Sequence, residues 1–428
     1  MNPKNKPIKK EELIDPRSKH KTIKWQIISI LGLNLVYVFV IAEAFSYNVN
    51  YQFEFSYWKL ILGSSILLSC LFIGSKINRQ YYFAVWNVIF LYILGGEVIY
   101  FQYNPDANVT QLIIVYISLV FIYLFSRINI KIRDTRTIKG SDTLLGWISI
   151  IMILPFIVFF YDNVNLNVLL LKDVYDSRGI YRTQSNVYTA YTLSILSRVI
   201  LPLLIIKKAF KKQYVMMSIY ILMIIYLYMS VSIKSVFIGL VAILFFYKGS
   251  YAVKTIRFVK SIAFLTFGGL FAYLVFDNLF LLDAFGRRVF FTPPALANIY
   301  YDFFKENYTY LSHSPFGLGI VEYPYHQGIT SFVGNYVMGV DGLNANVGVY
   351  TEGVFSFGFI GGFFAALLVS LIITYFGAIK INSKYFGVVF VYIYYINTSL
   401  LSTLLLTHGL FLLMVFAFLF MREKTDLA

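Results

Sequence analysis

Charged residues are scarce in this chain of 428 residues: Asp, Glu, Lys and Arg together make up 13% of it, about half the share of a soluble globular domain. With 59% of residues hydrophobic and a mean hydropathy of +0.70, there is too little polar surface to cover a water-facing globule. A soluble domain is therefore excluded. Cysteine is nearly absent. The one cysteine, Cys70, lies inside an apolar run, so neither an internal disulfide nor a cysteine-based metal site is available. Acidic residues are also few, 21 against 36 Lys and Arg, for a net charge of +15. In a soluble chain that excess would point to nucleic acid. Here the basic residues fall in short loops between apolar runs, where they set topology, and no nucleic-acid partner is expected. No P-loop, dinucleotide fingerprint, nucleophile elbow or metal-ligand spacing occurs, so no cofactor and no metal are expected. A cleavable signal peptide is not expected either. The first 22 residues are polar and basic, and the apolar run behind them is too long for a signal core.

What is present is apolar and aromatic. Phe and Tyr number 42 and 36, which suits helices that sit in lipid and place Tyr at the interfaces. Apolar runs predict spans over 24–45, 57–74, 81–101, 110–126, 143–161, 188–206, 215–232, 235–247, 261–280, 353–378, 385–401 and 403–421. The expected fold is all-α: a polytopic integral membrane protein of about 12 transmembrane helices. A tail (1–22) precedes helices one to nine (23–280) with an outer loop at 162–187. A large extracytoplasmic loop (281–352), helices ten to twelve (353–421) and a second tail (422–428) follow. Lys and Arg cluster on alternate loops, from Lys76 and Arg79 through Arg127–Lys139, Lys207–Lys212 and Lys248–Lys260 to Lys380, Lys384 and Arg422, whereas 46–56 and 102–109 hold none. The positive-inside rule then places both termini in the cytoplasm and favours an even number of spans. The large loop is dense in Tyr and Phe, and behind Pro293 and Pro294 it carries an amphipathic stretch (295–311) that could lie along the membrane surface.

Because the outer loops are otherwise poor in cations, their arginines stand out. Arg178 and Arg182 follow Lys172 in LKDVYDSRGIYRTQ, four residues apart and so on one face of a helix. Arg287 and Arg288 open the large loop. Arginine grips phosphate oxygens bidentately, so a phosphate clamp is one reading, and ordinary solvated or headgroup-facing arginine is the other. Arg198 lies deep inside the span TLSILSRVILPLL. An intramembrane cation is costly and marks a functional site or a structural ion pair, here with Glu97 or Asp277 as candidate partners. Lys234, in SVSIKSVFIGL, stands at the outer end of a hairpin, where it meets an anionic lipid phosphate or caps the turn. The stretch 341–362, DGLNANVGVYTEGVFSFGFIGG, gathers Asp341, Asn344, Asn346 and Glu352 at the outer mouth of a span, followed by a glycine-rich face. Glu352 serves as a general base or simply benefits from the helix dipole. His326, flanked by aromatics in VEYPYHQGITSF, is a second candidate base, and Asp341 a third.

The spans, the arginine-bearing outer loops and the motif LNANVGVYTEGVFSFGFIGGFFAALL together resemble Wzy-type oligosaccharide repeat-unit polymerases. The SIKSVFIGLVAIL hairpin is also similar to an element of that family. In motif the resemblance covers residues 233–240, 287–294 and 344–362. It implies a metal-independent glycosyltransferase of the bacterial plasma membrane, with a fold related to other integral-membrane glycosyltransferases. The growing glycan would pass from its undecaprenyl diphosphate carrier to the next lipid-linked repeat unit, in O-antigen, capsule or exopolysaccharide synthesis. A chain-length regulator and a repeat-unit flippase are the implied partners. Residue chemistry agrees with that picture: Arg178, Arg182, Arg287 and Arg288 are candidates to bind the diphosphate, Arg198, Lys234, Asn344 and Asn346 are further candidate substrate-binding residues, and Glu352, Asp341 or His326 is the candidate base for the acceptor. The related ligases show a His-Asn pair where this chain has Leu343–Asn346, which favours polymerase over ligase. A transporter or flippase is the remaining alternative, against which the gathering of polar groups on one side weighs.

Overall fold

The computed structural model describes residues 13–46, 48–130, 132, 141–170 and 173–422. Lys172 and, of the basic residues used above for orientation, Lys131, Arg133, Arg136 and Lys139 lie outside these. Among the described residues the chain is helical, with only two isolated backbone bridges, Leu13 to Arg79 and Ile381 to Arg422. Lipid offers no hydrogen bonds, so a helix, which pairs its own backbone, is the element such apolar runs must form.

Nine helices among the described residues are long and apolar enough to cross a membrane: α1 (Pro16–Ala44), α2 (Tyr57–Ser75), α3 (Gln80–Tyr103), α4 (Val109–Arg127), α5 (Asp142–Phe159), α6 (Val187–Phe210), α7 (Tyr214–Val231), α8 (Tyr251–Phe276) and α9 (Val349–Ala378). They match nine of the twelve expected spans. The other three fall on shorter apolar helices, Lys234–Phe245, Ser383–Ile396 and Leu410–Phe420. The first and last have 12 and 11 residues, at about 1.5 Å each roughly 17 Å against a hydrocarbon core of about 30 Å.

The chain forms two compact units: 1–130 with 250–377 and 395–401, and 131–249 with 378–394 and 402–428. In the first, α3 is enclosed along 100% of its apolar window, while α1, α2, α4 and α8 surround it and show Leu68, Phe72 and Phe271 outward. Such exposed large apolar side chains suit lipid and not water. α1 lies along α8, with Ser29 Oγ donating to the Val259 carbonyl at 3.0 Å.

In the second unit α6 is the enclosed helix, 83% buried over the same kind of window. The short helices here act as returns. After α7 the chain turns at Ser232 (φ 53°), and Lys234–Phe245 runs back with Phe237 stacked on Tyr228 at 5.2 Å. The segment 383–420 closes on itself: the Asn382 amide donates to the Met421 carbonyl at 2.8 Å. Its two ends therefore lie beside each other.

The large loop is structured, with its own core. Thr292–Phe304 starts with prolines in its first turn, where a missing N–H costs nothing. Its buried face, Tyr300 and Phe304, packs against Ile329, Val333, Val347 and Phe355. The stretch expected to lie along the membrane surface is thus a helix whose apolar face is used inside the loop.

Candidate functional site

Glu352 lies in the first turn of α9, and that helix is not continuous. Phe357 and Gly358 leave helical geometry, Gly358 at φ 64° and ψ −150°, a conformation open in practice only to glycine. Gly353 and Gly361 meet backbone to backbone across the break: a Cβ on Gly361 would stand 2.1 Å from the Gly353 carbonyl oxygen. The glycine-rich stretch is therefore a folded hinge and not one uniform packing face. One residue of α4 holds both sides of it, since Ser118 Oγ lies 2.9 Å from Tyr350 Oη and 3.2 Å from Ser370 Oγ.

The hinge sets Glu352 against His313. Glu352 Oε1 is 3.1 Å from His313 Nε2, with the two side chains 3% and 0% exposed. Glu352 Oε2 accepts from the backbone amide of Leu401, at the start of the helical turn after the break at 397–400. His313 comes from the loop 309–314, which is fastened to the end of the short helix. Thr309 and Tyr310 amides donate to the Phe355 and Ser356 carbonyls, each at 3.1 Å, and the imidazole packs on the Phe355 ring at 5.0 Å. Tyr310 and Leu311 both take the left-handed conformation, φ 49° and 61°, so the turn that delivers His313 is strained. An ionised carboxylate only accepts, so Nε2 is the donating nitrogen of this contact. Nδ1 is buried and has no hydrogen-bond partner among the described residues.

The other candidates fall elsewhere. Asp341, Asn346 and His326 are exposed, and neither Asp341 nor His326 is among the partners of Glu352. The aromatics beside His326 pack on the loop itself: Tyr325 stacks on Phe332 at 3.8 Å and meets Tyr323 edge-on at 5.4 Å. Asn344 ties the loop together, its Oδ1 accepting from Ser331 Oγ at 2.6 Å. Arg287 and Arg288 share Asp283. Arg287 Nε donates to its carboxylate at 2.6 Å and Arg288 Nε at 3.2 Å. Arg287 also stacks on the Phe45 ring at 4.4 Å. Burial works against its charge, yet Asp283 and Tyr51 outweigh that and hold its pKa above the usual arginine value. Arg288, with a side chain 45% exposed, faces outward.

The remaining cations belong to the second unit. Arg178 and Arg182 lie on the helix Val174–Gln184, Arg178 half-buried and Arg182 exposed. Arg198 is buried in a π turn of α6, where its guanidinium donates to Ser194 Oγ at 3.2 Å and Ser235 Oγ at 3.5 Å. Lys234 opens the short return helix. Glu97, a candidate ion-pair partner in the sequence, is 5% exposed and makes no ion pair among the described residues.

His313 is the residue that the sequence did not single out. It lies 39 residues before Glu352, and no periodicity or local motif in YLSHSPFG links the two. Among the described residues no group of three or more His, Cys, Asp or Glu is placed to hold a metal ion. Comparison with protein families, with curated proteins and with solved structures finds no match.

Proposed function

We propose that this chain is a membrane glycosyltransferase that joins undecaprenyl-diphosphate-linked oligosaccharide repeat units into a polysaccharide. The observation that carries the reading is the buried Glu352–His313 pair, whose His313 Nδ1 has no hydrogen-bond partner among the described residues. A carboxylate that holds one imidazole nitrogen as N–H leaves the other poised to take a proton, the arrangement that activates hydroxyl nucleophiles in many enzymes. Glu352 is then the positioning residue and His313 the base, a division of labour that the sequence left open.

In the step envisaged, a hydroxyl of the acceptor repeat unit attacks the anomeric carbon of the growing glycan. The new C–O bond forms as the bond from that carbon to the diphosphate oxygen breaks. His313 Nδ1 takes the hydroxyl proton, and undecaprenyl diphosphate leaves with the electron pair. Charge developing on the diphosphate needs cations. In the first unit Arg288 is the outward-facing candidate, held in place through Asp283. In the second unit Arg178 and Arg182 form a separate candidate set, with Arg198 buried and Lys234 half-buried. The membrane fold, the apolar exterior and the structured aromatic loop suit a lipid-borne sugar substrate.

The test is to delete the gene in its host and to run the surface polysaccharide on a gel beside a complemented strain. Loss of the high-mass ladder with single repeat units remaining is the expected result. An unchanged ladder would reject the reading and bring the transporter alternative forward.

A further inference from the structure

Every exposed residue of α9 is apolar: Phe357, Phe359, Ile360, Phe363, Phe364 and Leu371. Ile360, Phe364 and Leu371 recur at helical spacing and form one stripe down the span. On a helix that crosses a membrane such a stripe faces lipid. The apolar surface does not end where the helix breaks. The Phe357 ring meets Tyr310 edge-on at 5.8 Å, and Tyr310 meets Tyr308 edge-on at 6.4 Å. Both tyrosines are exposed. From Tyr310 the surface runs on to a turn whose tip is wholly apolar. Leu318 and Ile320 are 81% and 82% exposed, and 315–321 contains no polar side chain. Between Glu306 and Glu322 the chain has no Asp, Glu, Lys or Arg.

The tip is a fixed turn. The Ser314 amide donates to the Leu311 carbonyl at 2.9 Å, and the Ile320 amide to the Gly317 carbonyl at 3.0 Å. Gly317 sits so close to Leu311 that a Cβ on it would stand 2.4 Å from the Leu311 carbonyl oxygen. Leu318 takes the left-handed conformation, φ 52°, which a side chain with a Cβ adopts at a cost. The fold thus holds two large aliphatic side chains out from its surface, where water would forfeit the gain of burying them. A protein partner matches the tip poorly, because such interfaces carry a polar rim and about one hydrogen bond per 100–200 Å². The tip has no polar side chain to offer, and acyl chains ask for none. Continuity with the α9 stripe brings acyl chains next to it. Tyr308 and Tyr310 stand between the two, the residue type that marks the boundary of lipid and water.

We infer that the turn 315–321 seats in the adjoining leaflet of the bilayer, with Leu318 and Ile320 among the acyl chains. The seating rests on this surface and not on the glycosyltransferase reading. On that reading, it brings the turn that carries His313 to the headgroup level, where a lipid-borne diphosphate lies. The test uses the full-length protein with Cys70→Ala, one copy per lipid nanodisc. A nitroxide is attached in turn at Leu318→Cys, Ile320→Cys, Phe364→Cys on the α9 stripe and Asp341→Cys on the water-facing part of the loop. Collisional relaxation is measured with oxygen, which partitions into lipid, and with a nickel chelate, which stays in water. The oxygen-to-nickel ratio at 318 and 320 should approach that at 364 and exceed that at 341 severalfold. A ratio like that at 341, at either position, would overturn the seating. So would shielding from both reagents, which would mean that protein covers the tip. Both side chains are almost fully exposed, so these substitutions leave the fold intact. A water-facing tip beside a lost ladder in the deletion strain would overturn the seating and keep the glycosyltransferase reading, and a seated tip beside an unchanged ladder would do the reverse.

Discussion

At the scale of single residues, the two arginines at the start of the large loop look alike in sequence and do different work. Arg287 is held by Asp283 and by the Phe45 ring, with its side chain 19% exposed. Arg287→Ala should therefore cost stability, about 2 kcal/mol from a charged hydrogen bond and a cation–π contact, read as a lower thermal midpoint in detergent. Arg288→Ala should leave that midpoint nearly unchanged, within about 0.5 kcal/mol, and still abolish polymer. Equal thermal losses in the two variants would remove this distinction. His313→Gln retains a donor toward Glu352 but has no nitrogen that can take a proton. Polymerisation should fall by about 100-fold or more at wild-type protein level, whereas a normal ladder would take His313 out of the chemistry.

At the scale of elements, what was legible in the sequence was what periodicity and composition encode. Among the described residues nine long helices fall where apolar runs predict them, and Glu352 does stand in the first turn after the large loop. The glycines of 353–362 were legible as a special feature, but not as a hinge, because the same residues serve close helix packing equally well. The His313–Glu352 pair was not legible at all. It depends on a strained turn at Tyr310 and Leu311 and on a break in α9, neither of which leaves a periodic trace. His326 drew attention through its aromatic neighbours, and those rings turn out to stabilise the loop itself. The hinge makes a sharp prediction. Gly358→Ala must accept φ near 64° and crowd the Tyr308 hydroxyl, 2.7 Å from the position of the new Cβ. It should lose about 1–3 kcal/mol and, by shifting Glu352, activity as well. A fully stable and active variant would mean that the hinge is not needed.

At the scale of the whole molecule, the issue is how twelve expected crossings relate to the nine long helices among the described residues. The short helices are too brief to cross an ordinary bilayer unaided, yet the bond between Asn382 and Met421 returns 383–420 to where it began. Parity is thereby kept whether that hairpin crosses or only dips in. Because Cys70 is the single cysteine and is buried, a Cys70→Ala background permits mapping with a membrane-impermeant maleimide. Cysteines placed at Asp106 and Asp341 should label in intact cells, and those at Lys212 and Lys380 only after permeabilisation. Labelling of all four in intact cells would contradict the alternation on which the proposed orientation rests.

The central claim is that the Glu352–His313 pair activates an acceptor hydroxyl in a polymerising glycosyltransferase. The most direct measurement supplies the purified protein in nanodiscs with lipid-linked repeat units from the deletion strain and follows product length by gel. Wild type should build a ladder and release undecaprenyl diphosphate. Glu352→Gln and His313→Gln, folded to the same thermal midpoint, should leave single units unjoined. A ladder from both variants, or none from folded wild type, would contradict the account.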